Sequence, residues 1–231
     1  MAEESRRERM YKCRNYATIL EMNSIYKKEL FPITIFQSSV EDNEKLKKEV
    51  IPFILSTKEE NKSIPDGWFT NKLITSFDND QTNDKFTDSE FSKELNRQYL
   101  KVIKSFFDEQ WEAEMTMMWY NYYENGEYQE EHTHSSSFLN RTTFACVHFL
   151  AYDSNVHSPL SLKDPMKSLR SLSLEMKSNR YKENYNIFPK EGDFVMFPSY
   201  LPHEVKPGPP TPGNPRITIS FNLSVNAYGN E

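Results

Sequence analysis

"GDFVMFPSYLPHEVKPGPPTPGNPRITISFNLSV" occupies residues 192–225. Two apolar-rich runs, 193–198 and 216–225, flank a segment crowded with proline. Proline gives no N–H to a ladder, so the middle segment connects and the two runs are strands. In the second run Arg216, Thr218, Ser220 and Asn222 alternate with Ile217, Ile219, Phe221 and Leu223. Successive side chains on a strand point to opposite faces, so the run has one polar and one apolar face. Two placements fit that pattern. The polar face lies in water, or the apolar face packs on helices while Arg216 and Thr218 line a barrel mouth. His203 lies between the runs, after a turn fixed by Pro198 and Pro202.

Working outward, "EMTMMWYNYY" (114–123) and "TTFACVHFLAY" (142–152) are further strand-like runs rich in β-branched and aromatic residues. The chain before them differs. Residues 3–26 read as helical, and "FPITIF" (31–36) as a short strand. "EDNEKLKKEVIPFI" (41–54) puts Leu46, Val50 and Phe53 on one helical face. "TDSE" (87–90) reads as a capping box, Thr87 the cap and Glu90 its partner. It opens a helix with the stripe Phe91, Leu95, Tyr99, Ile103 and Phe106. Residues 56–90 read as loop with short extended pieces, and 152–189 as a polar insertion. Helices followed by a block of strands predict an α+β protein, mainly β, with helices flanking a sandwich or barrel. One domain is expected over 1–231, with a helical and loop part (1–111) packed on a β core (112–225).

The bulk numbers set limits. A net charge of −6 without a basic block makes the chain a poor candidate for gripping nucleic acid backbones, while leaving room for a small local basic site. No run approaches the ~20 apolar residues of a membrane span. The beginning of the chain lacks the apolar core of a secretory signal. Cys13 and Cys146 have no metal-type spacing, which points to a reducing, cytoplasmic setting.

The chain has five histidines, and two of them stand in "EEHTH" (130–134). On a strand His132 and His134 share a face and aim at one point. Imidazole is the commonest side-chain ligand for divalent transition metals. Such a pair alone is often a surface accident, so a third ligand is required, and His203 supplies it. His148, inside "FACVHFL", reads as a core residue, and His157, in the polar insertion, as a solvated one.

The order HxH, about 70 residues, His, about a dozen residues, Arg forms a pattern. With "WYNYYENGEYQEEHTH" (119–134), "SLKDP" (161–165), "FPKEGDFVMFPSYLPHEVKP" (188–207) and "PRITISFNL" (215–223), the chain resembles the iron- and 2-oxoglutarate-dependent oxygenases. The resemblance is greatest to the prolyl-hydroxylase-like group of phage and marine bacterial genomes. It implies a double-stranded β-helix, the jelly roll. It implies iron(II) on two histidines and a carboxylate, with three positions open. That pattern falls on His132, His134 and His203, with His134 in the carboxylate's place. Three neutral imidazoles leave the full dication charge on iron. Glu130 and Glu131 are the fallback carboxylates; Glu130 has the histidines' strand parity, whereas Glu131 faces the other way on an ideal strand.

By the same resemblance Arg216 holds the distal carboxylate of 2-oxoglutarate bidentately. Thr218 adds a hydroxyl, and Asn121 and Tyr123, on one face of "WYNYY", are further contacts. The implied activity is hydroxylation of a peptidyl or small-molecule substrate, using O2, with ascorbate as a stimulant. A phage-encoded chain would work in the host cytoplasm. Two other readings remain. A cupin dioxygenase without 2-oxoglutarate fits Gly126, His132 and His134, but has Tyr200 where glycine is expected and lacks its glutamate. A non-catalytic jelly roll, such as a virion or scaffold protein, is the other. The substrate and the oligomeric state stay open.

Overall fold

A computed structural model describes residues 32–61, 73–77, 79–107, 111–134, 142–170 and 182–227. The helix expected over 3–26 lies outside them. Among the described residues ten strands form two antiparallel sheets. The larger takes β1 (Phe36–Ser39), β8 (Asp193–Pro198), β5 (Phe144–Ala151), β10 (Arg216–Ala227), β3 (Trp111–Tyr123) and β2 (Ile74–Thr75), in that spatial order. The smaller takes β4 (Gln129–His132), β9 (His203–Val205), β6 (Leu160–Lys163) and β7 (Asn184–Ile187), in that order. Apart from β2 beside β3 and β6 beside β7, neighbours in space are not consecutive in the chain, as in a jelly roll. The helices are α1 (Asn43–Thr57), α2 (Asp80–Thr87), α3 (Glu90–Lys104) and the single turn α4 (Lys167–Arg170). No helix among the described residues is long and apolar enough to cross a membrane.

The middle of the larger sheet (β5, β8, most of β10 and the second half of β3) is buried on both faces. On one face Tyr120, Cys146, Leu150, Met196, Ile217, Ile219, Phe221 and Leu223 pack against Leu46, Val50 and Ile54 of α1 and Leu95, Tyr99 and Ile103 of α3. The apolar face of β10 therefore packs on helices. The opposite face splits by strand. Ala145, Val147, Phe149, Val195 and Phe197 of β5 and β8 meet Leu160 and Leu162 of β6 in a second apolar cluster. Arg216, Thr218, Ser220 and Asn222 of β10 share that inner face and are buried too. The placement with β10's polar face in water is thus overturned: the smaller sheet covers it. One barrel wall is apolar and fills itself, while the other carries the chemistry.

One polar network crosses the helix-side core. His148 Nε2 donates to Asn43 Oδ1 at 2.9 Å, which leaves Nδ1 to accept from the Tyr99 hydroxyl at 2.7 Å. Asn43 in turn donates to the Leu150 carbonyl at 3.0 Å. The start of α1 and the middle of α3 are thereby fastened to β5. Tyr99→Phe removes the donor and leaves a buried imidazole nitrogen unsatisfied. It should cost about 1–3 kcal/mol of stability, read by denaturant unfolding; an unchanged midpoint would contradict the role given to this network.

Four local expectations need correction. The first strand is Phe36–Ser39, not 31–36, because pairing occurs only where β8 runs alongside, from Phe36↔Met196 to Ser39↔Asp193. The cap of α3 is Ser89, whose hydroxyl accepts from the Ser92 N–H, while Thr87 ends α2 and donates to the Asn83 carbonyl. The polar stretch 56–90 contains the helix α2, capped by Asn79. It buries only Thr82 and Phe86, so it has no apolar stripe to detect. The insertion 152–189 supplies β6 and β7, four residues each, half of the smaller sheet.

Candidate metal centre and anion seat

Strand pairing sets the site. In the β10–β3 ladder Arg216 lies opposite Tyr123, Thr218 opposite Asn121 and Ser220 opposite Trp119. All six side chains share the inner face, so a polar strip runs along the barrel. Asn121 Nδ2 donates to Ser220 Oγ at 3.1 Å. The Trp119 Nε1 and Asn121 Oδ1 atoms are buried without a hydrogen-bond partner.

Arg216 closes one end of the strip and is only 3% exposed. Its guanidinium carbon lies 4.5 Å from the Tyr123 ring centre, 5.6 Å from Phe149 and 5.9 Å from Tyr152. Its Nε and Nη1 are buried and have no hydrogen-bond partner. Aromatic faces ease the burial of a guanidinium but do not satisfy its N–H donors. An arginine in this state fits a carboxylate offered to its fork. The adjoining turn is tightly made. Gly126 has φ +84°, and a Cβ there would stand 2.9 Å from the Gly208 carbonyl oxygen. Beside Arg216 lies His157, which was expected in water and is not. It is 8% exposed; its Nδ1 accepts from the Asp153 N–H and its Nε2 donates to the Asn214 carbonyl, both at 2.9 Å.

At the other end His132, His134 and His203 place their ligand atoms within 4.8 Å of one another. His132 ends β4 and lies directly opposite His203, the first residue of β9. His134 is beyond the strand, so simple alternation does not bring it there. Its backbone N–H donates to the Ser199 carbonyl at 2.9 Å, which ties it to the β8–β9 turn. Each imidazole uses Nδ1 as a donor: His132 to the Glu130 carbonyl at 2.8 Å, His203 to the Leu201 carbonyl at 3.0 Å, His134 to Asn222 Oδ1 at 2.6 Å. A proton on Nδ1 leaves Nε2 with its lone pair. Three Nε2 lone pairs, that of His132 also 3.5 Å from the Gln129 side-chain amide nitrogen, make up a donor set that a divalent transition metal takes. Glu130 is not in the cluster. β4 slips register between Gln129 and His132, which breaks the parity on which the fallback rested.

Burial, first of all, pulls the three pKa values down. His132 is lowered, His134 falls to about 4 with His132 adding repulsion, and His203 lies well below 6.5 with both neighbours opposing its charge. Burial alone brings His148 to about 3. The sign follows from linkage. The folded values lie below the unfolded value near 6.5, so the unfolded chain binds protons more tightly. Stability should be level above pH 6.5 and fall as the pH drops from there toward 4. Each such histidine contributes a slope of up to about 1.4 kcal/mol per pH unit. Melting the metal-free protein between pH 7.5 and 4.5 checks this; a melting temperature that does not fall contradicts it.

Two participants escaped the sequence reading. Asn222 was visible only as a polar position on β10; its partner is 88 residues away. Trp119, whose ring centre lies 5.7 Å from that of His134, was read only as part of a strand.

Residues 117–222 match the profile of a family described as "Putative 2OG-Fe(II) oxygenase". No curated protein matches the sequence. Three solved structures share the fold. A prolyl-4-hydroxylase from Pseudomonas putida has 12% identity over 83% of this chain and 92% of its own, with a TM-score of 0.51. A Trichoplax adhaerens prolyl hydroxylase, in complex with a hypoxia inducible factor peptide fragment, has 15% identity, coverage of 82% and 83%, and a TM-score of 0.53. HygX from Streptomyces hygroscopicus, with nickel and 2-oxoglutarate bound, has 11% identity, coverage of 83% for both chains and a TM-score of 0.54. Residues 117–222 therefore match the 2OG-Fe(II) oxygenase profile, and the chain shares the jelly-roll fold of the solved oxygenases.

Proposed function

We propose that this protein is an iron(II)- and 2-oxoglutarate-dependent hydroxylase in which His132, His134 and His203 hold iron(II) and Arg216 holds the distal carboxylate of 2-oxoglutarate. The observation that carries the reading is the pairing of opposite needs at the two ends of one buried strip, which runs along β10 from Arg216 to Asn222. Three clustered imidazoles suit a cation at one end, and a desolvated guanidinium suits an anion at the other. Thr218 and Asn121 lie between them, and Tyr123 backs the guanidinium. Iron(II), 2-oxoglutarate and O2 bound there supply the oxidant for C–H hydroxylation, with succinate and CO2 released. The chain's own residues do the rest. The imidazoles stay neutral at pH 7 and add no charge, so the dianionic co-substrate is drawn by the whole charge of the metal. Arg216 fixes the register of the co-substrate along the polar strip. The apolar wall of Phe149, Val195 and Phe197 helps to keep water from the cavity.

A cupin dioxygenase that dispenses with 2-oxoglutarate leaves Arg216 buried without a task. The substrate is a peptide segment or a small molecule, reached from the His134 side; a fold relative holding a peptide fragment supports the former. Ascorbate is expected to sustain turnover, and the buried free thiol of Cys146 suits a reducing cytoplasm. Metal analysis together with succinate release tests the reading. Stoichiometric iron and 2-oxoglutarate-dependent succinate are expected; iron without succinate under any condition would favour the cupin or the non-catalytic alternative.

A further inference from the structure

His134 stands where related patterns carry a carboxylate, and it is held differently from the other two imidazoles. His132 and His203 each donate to a backbone carbonyl two residues earlier, a contact that does not depend on the side chain at 130 or 201. His134 donates to a side chain, Asn222 Oδ1, at 2.6 Å. Asn222 is the last of the inner-face residues Arg216, Thr218, Ser220 and Asn222, and it is 7% exposed.

The backbone is irregular at this point. Asn222 pairs with Met117 and Leu223 with Met115, so Thr116 is an extra residue on β3. The Thr116 hydroxyl donates to the Asn222 carbonyl at 3.5 Å. A bulge bends the ladder and re-aims the side chain beside it. On the far side, the backbone N–H of His134 is held by Ser199. With the backbone tied and Nδ1 occupied, Nε2 is the ring nitrogen left for the cluster with His132 and His203.

We propose that Asn222 is the positioning residue of the third imidazole: its amide oxygen, aimed by the bulge, fixes His134 as the Nδ1–H tautomer and delivers Nε2 to the metal. The inference rests on the three-histidine metal reading. The choice of an amide has a consequence. A carboxylate here would hold the same proton but add a negative charge near the metal; the amide holds it without charge. An amide turned the other way would offer N–H to Nδ1, move the proton to Nε2 and remove the ligand.

The test uses the full chain, with Asn222→Leu, Asn222→Asp and His203→Ala beside the unsubstituted protein. Long-range 1H–15N NMR of the metal-free protein should show His134 protonated at Nδ1 and bare at Nε2. Cobalt(II) titration, followed by visible absorption, should show affinity falling about 10–100-fold in Asn222→Leu, with a changed spectrum. Asn222→Asp, which keeps an acceptor, should bind as tightly as the unsubstituted chain or more so. A proton on Nε2 of His134 would overturn the proposal, and so would an unchanged affinity and spectrum in Asn222→Leu. Equal weakening in the Leu and Asp variants would also overturn it, because packing alone would then explain the loss. If Asn222→Leu does not fold, the tautomer decides. Cobalt that fails to bind the unsubstituted protein, or binds His203→Ala equally well, would instead sink the metal reading, and the delivery of Nε2 with it.

Discussion

Arg216→Met should lose 2-oxoglutarate while keeping the metal. The guanidinium is nearly inaccessible, and its Nε and Nη1 have no protein partner. A carboxylate entering this seat forms a desolvated, charge-assisted pair. Removing one member of such a pair costs roughly 3–5 kcal/mol, a loss of at least two orders of magnitude in affinity. Methionine fills similar volume against Tyr123, Phe149 and Tyr152, so the walls of the seat should hold. The cation is six residues along β10 from Asn222, which contacts His134, so the imidazoles are not touched. Calorimetric titration of 2-oxoglutarate into the metal-loaded variant checks this. Equal affinity in variant and parent would remove Arg216 from the site.

His203→Ala should have the larger effect on the metal. His203 is the most enclosed of the three, with its ring 4.2 Å from that of His132, 5.0 Å from that of His134 and 4.8 Å from that of Phe197. No other side chain among the described residues joins the cluster to replace it. Loss of a ligand's hydrogen-bonding partner typically weakens a metal site by about 10–100-fold, and loss of the ligand itself should exceed that. Iron content after gel filtration measures it. Iron retained at full stoichiometry would mean that the metal, if any, binds elsewhere.

The parts that sequence conveys well here are those with a strict period. The alternation in β10 separates Ile217, Ile219, Phe221 and Leu223 from Arg216, Thr218, Ser220 and Asn222, and the two faces do go to helices and cavity. Helix stripes in α1 and α3 were legible for the same reason: one wet face leaves a pattern. The wall of the larger sheet was harder, because a strand buried on both sides shows no alternation. Where the period breaks, so does the reading. The slip in β4 undid the parity argument for Glu130, and the bulge opposite Thr116 set the aim of Asn222. Neither leaves a mark in composition. His157 sits in a stretch that reads as polar, yet its two ring nitrogens are satisfied by backbone groups of Asp153 and Asn214. That burial depends on loops meeting in three dimensions, which no local window contains.

The proposed site holds a metal on three imidazoles, with 2-oxoglutarate between that metal and Arg216. Adding 2-oxoglutarate to the anaerobic iron(II) protein tests it most directly, through the visible charge-transfer absorption that a chelated 2-oxo acid gives with iron(II). The band should grow to saturation in the unsubstituted protein and be absent at the same concentrations in Arg216→Met. An iron-loaded parent protein that shows no band at saturating 2-oxoglutarate would contradict the account.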